Sequence, residues 1–284
     1  MSMIDKNKEY TCLINPNFQL SKQYPKYFEL IDELIILFDK IQEGVSRKGI
    51  KPSPENLFQV IVLVSGPKTM NSVLSIGHLC DQGLTEDARS VLRKILEVSG
   101  TLSYLKKDDE KIEERVKRFF HFGSIENKMS LVLTEKYPER FSEYIVEYFG
   151  RKKQEFETAY NYVKQFYPRK NNGDIKGDFH RHWDGKSLTR IILESGMSKE
   201  LVPFSVFSHS THFSASDIGS YVNLESGEVY TKHNLDEVPH LLISTLKLSI
   251  IIMQFLDLEF NLDFEKPILV LLDKVSIADK RLNS

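Results

Sequence analysis

Cysteine is nearly absent: Cys12 and Cys80 are the two among 284 residues. Two thiols so far apart give no disulfide framework and match no zinc-ligand spacing, and they predict a reducing, cytoplasmic setting. Tryptophan occurs once, at Trp183. Net charge is also small, −2 at pH 7, so the molecule as a whole does not attract nucleic acid or an anionic membrane. Met1 to Tyr10 is polar and lacks the apolar core of a secretory signal. The longest apolar run, Leu241 to Leu256, contains Ser244, Lys247, Ser249 and Gln254. It falls short of the roughly 20 residues that span a bilayer, which predicts a buried core helix and no membrane association. There is no phosphate-cradling glycine loop, no nucleophile elbow and no zinc-protease helix motif.

Apolar residues make up 41% and charged residues 27% of the chain, the balance of a soluble globular protein. The dominant period is helical. Tyr27, Leu30, Ile31, Leu34, Ile35, Phe38 and Ile41 recur at steps of three and four, which predicts an amphipathic helix from Pro25 to Gly44. Ser53-Pro54-Glu55 reads as a helix start running to Ser65, Gly66-Pro67 as a break or kink, and Lys68 to Asp81 as a further helix stopping at Gly83. Thr85 caps the next helix, whose buried face carries Ala88, Leu92, Ile95, Ser99 and Leu102. Arg89, Arg93, Glu97 and Tyr104 share another face.

A helix then starts at Asp108 or Asp109 and passes through Val116, Phe120 and Val132. A shorter one is expected from Pro138 to Gly150, followed by a stripe at Phe156, Tyr160, Val163 and Tyr167. Arg169 to Lys186 is irregular, with turn chemistry at Asn172-Gly173, Gly177 and Gly185. Ser187 caps a short helix, a small hairpin fits around Ser226-Gly227, and an apolar helix spans 236–257 with a last helix after Pro267. The expected fold is all-α: a bundle of antiparallel amphipathic helices in a single domain, 1–284, with at most one small β-hairpin.

Charge is uneven along the chain. Arg151 to Lys186 carries nine Lys/Arg against five Asp/Glu, and Asp217 to Glu265 nine acids against two Lys. Chance clustering on solvated faces is the simplest reading of this. The basic stretch also holds seven aromatic residues, a mixture that single-stranded nucleic acid binding uses. Phe156, Tyr160, Val163 and Tyr167, however, have the spacing of a buried helix face.

Three constellations could carry chemistry. Arg93 and Glu97 are four apart and can pair on one helix, either as a surface salt bridge or as a device orienting a ligand. Ser208-His209-Ser210-Thr211-His212 places two histidines on one helical face. His212 could act as general acid or base with Ser208 nearby and Arg93 stabilising negative charge; the simpler role is a helix-end histidine holding two helices together. Asp178, His180, His182 and Asp184 would form one row if extended. The simpler reading there is a solvated loop anchored by Trp183. No metal or cofactor is assigned.

The run Gly83-Leu84-Thr85-Glu86-Asp87-Ala88-Arg89-Ser90-Val91-Leu92-Arg93-Lys94-Ile95-Leu96-Glu97 resembles a bacterial family of uncharacterised helical proteins, a domain of unknown function. Trp183-Asp184-Gly185-Lys186-Ser187-Leu188 and the Ser208–His212 block look like the later blocks of that family. The likeness covers about 57–221 and implies an all-helical fold without a settled activity. Arg115-Val116-Lys117-Arg118-Phe119-Phe120-His121 is similar to the hallmark of the HEPN group, helical proteins that include ribonucleases of toxin and antiviral systems with one site built by two subunits. No polar residue follows Arg115, and the Ser208–His212 block has no Arg at the matching distance.

The leading expectation is a binding or sensing module of a bacterial stress or defence system. Its ligand would be a small molecule, RNA or a protein, and its polar cluster Arg93, Glu97, Ser208 and His212. A HEPN-like metal-independent ribonuclease using His121 with Arg115, or His212 with Arg93, as a homodimer, is the alternative. A metal-dependent hydrolase built on His209, His212 and the 178–184 loop is the third.

Overall fold

A computed structural model of the chain describes residues 19–197, 222–223, 228–229 and 235–283. Within them are α1 (Pro25–Arg47), α2 (Leu57–Asp81), α3 (Thr85–Lys106), α4 (Ile112–Lys136), α5 (Glu143–Val163), α6 (Leu188–Glu194), α7 (Val238–Phe260) and α8 (Glu265–Leu282), with short 3-10 turns between several of them. Two-residue strands β1 (Val222–Asn223) and β2 (Glu228–Val229) pair antiparallel, Val222 with Val229 and Asn223 with Glu228. The fold is the expected all-α bundle, and β1 with β2 is the only strand pair among the described residues; the expected turn at Ser226-Gly227 lies outside them.

α7 is the axis. It is apolar on every side, and Leu242, Leu246, Ile252, Met253 and Leu256 have no or almost no exposed surface. A helix hydrophobic all round has to be enclosed, and α1, α2, α3 and α8 enclose it. α2 and the segment Leu235–Phe260 are each long and apolar enough to cross a membrane. In the second, two thirds of the most apolar window (67%) is buried inside the bundle, which matches the core helix expected from Leu241 to Leu256. α7 ends where Asn261 takes a left-handed backbone (φ 49°). The Asp257 carboxylate then accepts from the Phe264 N–H at 2.8 Å, and the Lys48 ammonium donates to the free carbonyls of Phe260 and Asn261. Those bonds satisfy groups that a helix end leaves orphaned.

Several expected boundaries move. α2 starts after Asn56, whose side chain accepts from the Gln59 N–H at 3.2 Å, and not at Ser53. Ser53 instead closes a turn by accepting from the Glu55 N–H. Gly66-Pro67 neither breaks nor ends the helix: Pro67 lies inside one continuous α2. Packing of α2 against α1, α3 and α7 outweighs the local penalty of a mid-helix proline. Thr85 is the first residue of α3 and not its cap, since Leu84 holds that position without a side-chain bond. Pro138–Arg140 is only a 3-10 turn, and the pieces expected to part at Gly150 form one helix, α5. The glycine lies exposed on that helix with open space around it.

α4 and α5 form a hairpin with a small core of its own. Ile125, Tyr160, Val163, Tyr167 and Ile175 are buried there, backed by Phe122, Phe166 and Phe179. Phe156, Tyr160 and Val163 therefore form a buried face of α5, and Tyr167 is buried as expected but lies beyond the helix, after a 3-10 turn.

Candidate ligand-binding cleft

A buried polar network lies where the irregular segment after α5 crosses α3 and α4. Gly185 has φ +67°, a conformation that L side chains rarely adopt. The turn puts Trp183 and Asp184 inward and Lys186 beside α3. Trp183 is 8% exposed and packs edge-on against Phe119 and Tyr104, with ring centroids 5.3 and 5.7 Å apart. The expected anchoring of this loop by Trp183 is what the structure shows.

Asp184 is also 8% exposed, and a buried carboxylate needs partners. It accepts from the Tyr104 hydroxyl at 2.5 Å and from Arg118 Nη1 at 2.9 Å, with Lys186 Nζ at 3.9 Å. Arg118 also donates to the Phe166 carbonyl at 2.9 Å and to Glu114. The Lys186 ammonium donates to the Tyr104 hydroxyl and to Glu194, both at 2.8 Å. The Arg115 guanidinium covers the Tyr104 ring at 4.8 Å. Burial first, and then the bond to Asp184, raises the Tyr104 hydroxyl above its ordinary pKa. Burial pushes Lys186 down, but Glu194 and Tyr104 outweigh it and the ammonium ends up raised. Hydrogen bonds from Lys186 and Arg190 hold Glu194 down at about 2. Tyr104 and Lys186 therefore stay protonated and Glu194 ionised at neutral pH, and the network ties α3, α4 and α6 together.

Beside this network opens a cleft of about 1230 Å³ between α2, α3, α4 and the stretch Arg181 to Ile191. Val64, Val98, Phe119, Phe120 and Trp183 give it apolar walls, and Val64 and Phe120 are 59% and 45% exposed. Lys68, Arg93, Lys94, Arg181 and Lys186 bring positive charge to it, against Glu97 and Glu126. Arg93 Nε donates to Glu97 Oε1 at 2.9 Å, so the pairing expected from their spacing forms, on the wall of the cleft. Lys186 is engaged by Glu194. Lys68, Lys94 and Arg181 make no ion pair among the described residues, and each comes from a different element.

The other candidates part company. Arg89, on the same helix face as Arg93, pairs with Glu237 at the start of α7. Arg115 and His121 are six positions apart on α4, which separates them by about 120° around the helix. Arg115 faces Tyr104 and Asp108. His121 stacks on Phe166 of the α5 end, with centroids 5.0 Å apart and planes at 11°. Burial, then Lys117, lowers its pKa. These two side chains share no partner and form no joint site within one chain. Asp178 to His180 form a 3-10 turn, so the row Asp178, His180, His182 and Asp184 is not extended. Among the described residues no group of three or more His, Cys, Asp or Glu is placed to hold a metal ion. Ser208, His209 and His212 lie outside the described residues.

The sequence assigns Arg118 and Lys186 no role of their own and gives Asp184 only a place in a loop row and in a family-like block. Tyr104, expected on the face of Arg89, Arg93 and Glu97 and apart from the buried one, is itself buried, at 1% exposed. A single Trp followed by Asp-Gly was the available signal: a large ring to bury, a charge beside it and a turn that only glycine adopts easily.

No curated protein and no solved structure matches the chain. A family model does, over residues 60–229. That span contains every described residue of the cleft wall, from Val60 to Ile191, and leaves out α1, α7 and α8. The chain therefore belongs to a family of unknown function, DUF5677.

Proposed function

We propose that the chain is a binding module whose cleft takes an anionic ligand with an apolar part. One observation carries the reading: Lys68, Lys94 and Arg181 come from three elements to one apolar-walled cleft, where basic residues outnumber acidic ones, and make no ion pair among the described residues. Holding like charges around a concavity costs stability through repulsion, and an anion between them would offset that cost. Val64 and Phe120 leave apolar surface beside the charges, which suits a ligand of mixed character. The Tyr104–Asp184–Lys186 network is the rigid backing, and it fixes the loop that supplies Arg181 and Lys186.

Titration calorimetry with inorganic pyrophosphate tests this. The native protein is expected to bind it, and a Lys68→Glu/Lys94→Glu double variant with an unchanged melting temperature is expected to lose that binding. Equal binding by both proteins, or none by the native one, would remove the cleft as an anion site.

A further inference from the structure

The exposed aromatic residues near the cleft are not scattered. Phe120 lines the cleft and meets the His121 ring edge-on at 5.4 Å. His121 stacks on Phe166, and Tyr162 closes the row against both at 5.8 and 5.5 Å. The row crosses from α4 to the end of α5, and it is distinct from the stripe that fills the hairpin core. Phe156, Tyr160, Val163 and Tyr167 are each at most 7% exposed, whereas Tyr162 is 57% and Phe120 45% exposed. The inner members, His121 and Phe166, pack the two helices together. The two ends offer ring surface to solvent.

This row leads out of a cleft whose volume exceeds the roughly 300–1,000 Å³ of ordinary small-molecule pockets. Two of its members, Tyr162 and Phe166, belong to the basic stretch between Arg151 and Lys186, with nine Lys/Arg against five acids. Ring faces at intervals, beside cations that form no ion pair among the described residues, are what a flexible polyanion with aromatic side groups recognises, whatever its sequence.

We infer that the cleft and the aromatic row form one groove for single-stranded nucleic acid, with bases against Phe120 and Tyr162 and phosphates against Lys68, Lys94 and Arg181. The inference rests on the anion-binding reading above and names its ligand class. His121 contributes as a neutral ring at the middle of the row, since burial disfavours its charged form.

Fluorescence anisotropy with a labelled oligouridylate of about ten nucleotides is the test, run beside pyrophosphate and uridine monophosphate. The oligouridylate is expected to bind more tightly than either. Tyr162→Ala and Phe120→Ala are each expected to weaken it about tenfold, and Tyr162→Phe to restore it, while helicity by circular dichroism stays at the native value. The logarithm of the affinity should fall with the logarithm of salt concentration with a slope of about −2, or roughly −0.7 for each of three phosphates, and Lys94→Ala should remove about one such step. If pyrophosphate binds and the oligouridylate binds no better, the groove is wrong and the anion site stands. If both alanine variants bind the oligouridylate fully, the aromatic row has no part and the groove is likewise wrong. If pyrophosphate does not bind, the anion site falls and the groove that rests on it falls with it.

Discussion

Tyr104 and Asp184 are eighty positions apart and meet through a 2.5 Å hydrogen bond inside the protein. The bond closes the loop after α5 onto α3, and Arg118 holds the other oxygen of the same carboxylate. Removing the hydroxyl in Tyr104→Phe should cost about 1–2 kcal/mol, because one oxygen of a buried charge loses its donor. Asp184→Ala should cost more, about 3 kcal/mol, since it strands Arg118 and Lys186 together. Urea denaturation of both single variants and the double variant measures this. Additive losses would show that the two residues do not act as a pair.

Gly185 makes that meeting geometrically available. A Cβ there would lie 2.9 Å from the Phe179 ring, on a backbone with φ +67°. Gly185→Ala should destabilise the fold by about 2 kcal/mol, most of it the left-handed penalty for an L side chain. A melting temperature equal to that of the native protein would contradict the assignment.

Glu194 ties pH to stability. Its carboxyl drops from an ordinary 4.5 to about 2 in the folded protein, through hydrogen bonds from Lys186 and Arg190. A depressed carboxylate stabilises the fold fully above the unfolded value, and the contribution is lost as pH falls through the folded one. The unfolding free energy should therefore decline between about pH 4.5 and pH 2, and Glu194→Gln should flatten part of that decline. Identical pH profiles for the two proteins would refute the linkage.

His121 acts in the same direction at higher pH. Burial between α4 and α5, and then Lys117, lower its pKa from 6.5. The unfolded chain takes up the proton first as pH falls, so the contribution is whole above 6.5 and shrinks below it. His121→Phe keeps the stacking on Phe166 and should remove this dependence. Proton titration followed by nuclear magnetic resonance would show a folded-state midpoint below 6.5, and a midpoint above it would reverse the sign.

Pro67 is exposed within an unbroken α2. It denies the Leu63 carbonyl its helical donor. Pro67→Ala supplies the missing N–H and should stabilise the protein by about 1–3 kcal/mol, read as a shift of the urea midpoint. A loss of stability would mean that packing around the proline ring matters more than the helical bond.

The helices were legible because their apolar residues keep one period over long stretches. Leu30 to Ile41 and Ala88 to Leu102 mark buried faces that the structure reproduces. Boundaries were less legible where local chemistry and packing disagree. Ser53-Pro54 and Gly66-Pro67 look like a start and a stop, yet burial of α2 against three neighbours carries the helix through the second pair. The Arg93–Glu97 pair could be read from spacing alone, because its partners sit one turn apart. The contact of Tyr104 with Asp184 could not, because nothing local to either residue specifies the other. The convergence of Lys68, Lys94 and Arg181 was hidden for the same reason: three cations from three elements become one site only after α2, α3 and the loop are packed.

Cys80 sits near the end of α2 with no exposed surface, and burial pushes its thiol up to about 12. At neutral pH an alkylating reagent finds almost no thiolate and no path to it. Modification of Cys80 in a Cys12→Ser background must then wait for α2 to part from the core, and its rate becomes a clock for that opening. A molecule seated between α2 and α3 would slow the clock, so one buried sulfur can report occupancy of the cleft even when the ligand itself gives no signal.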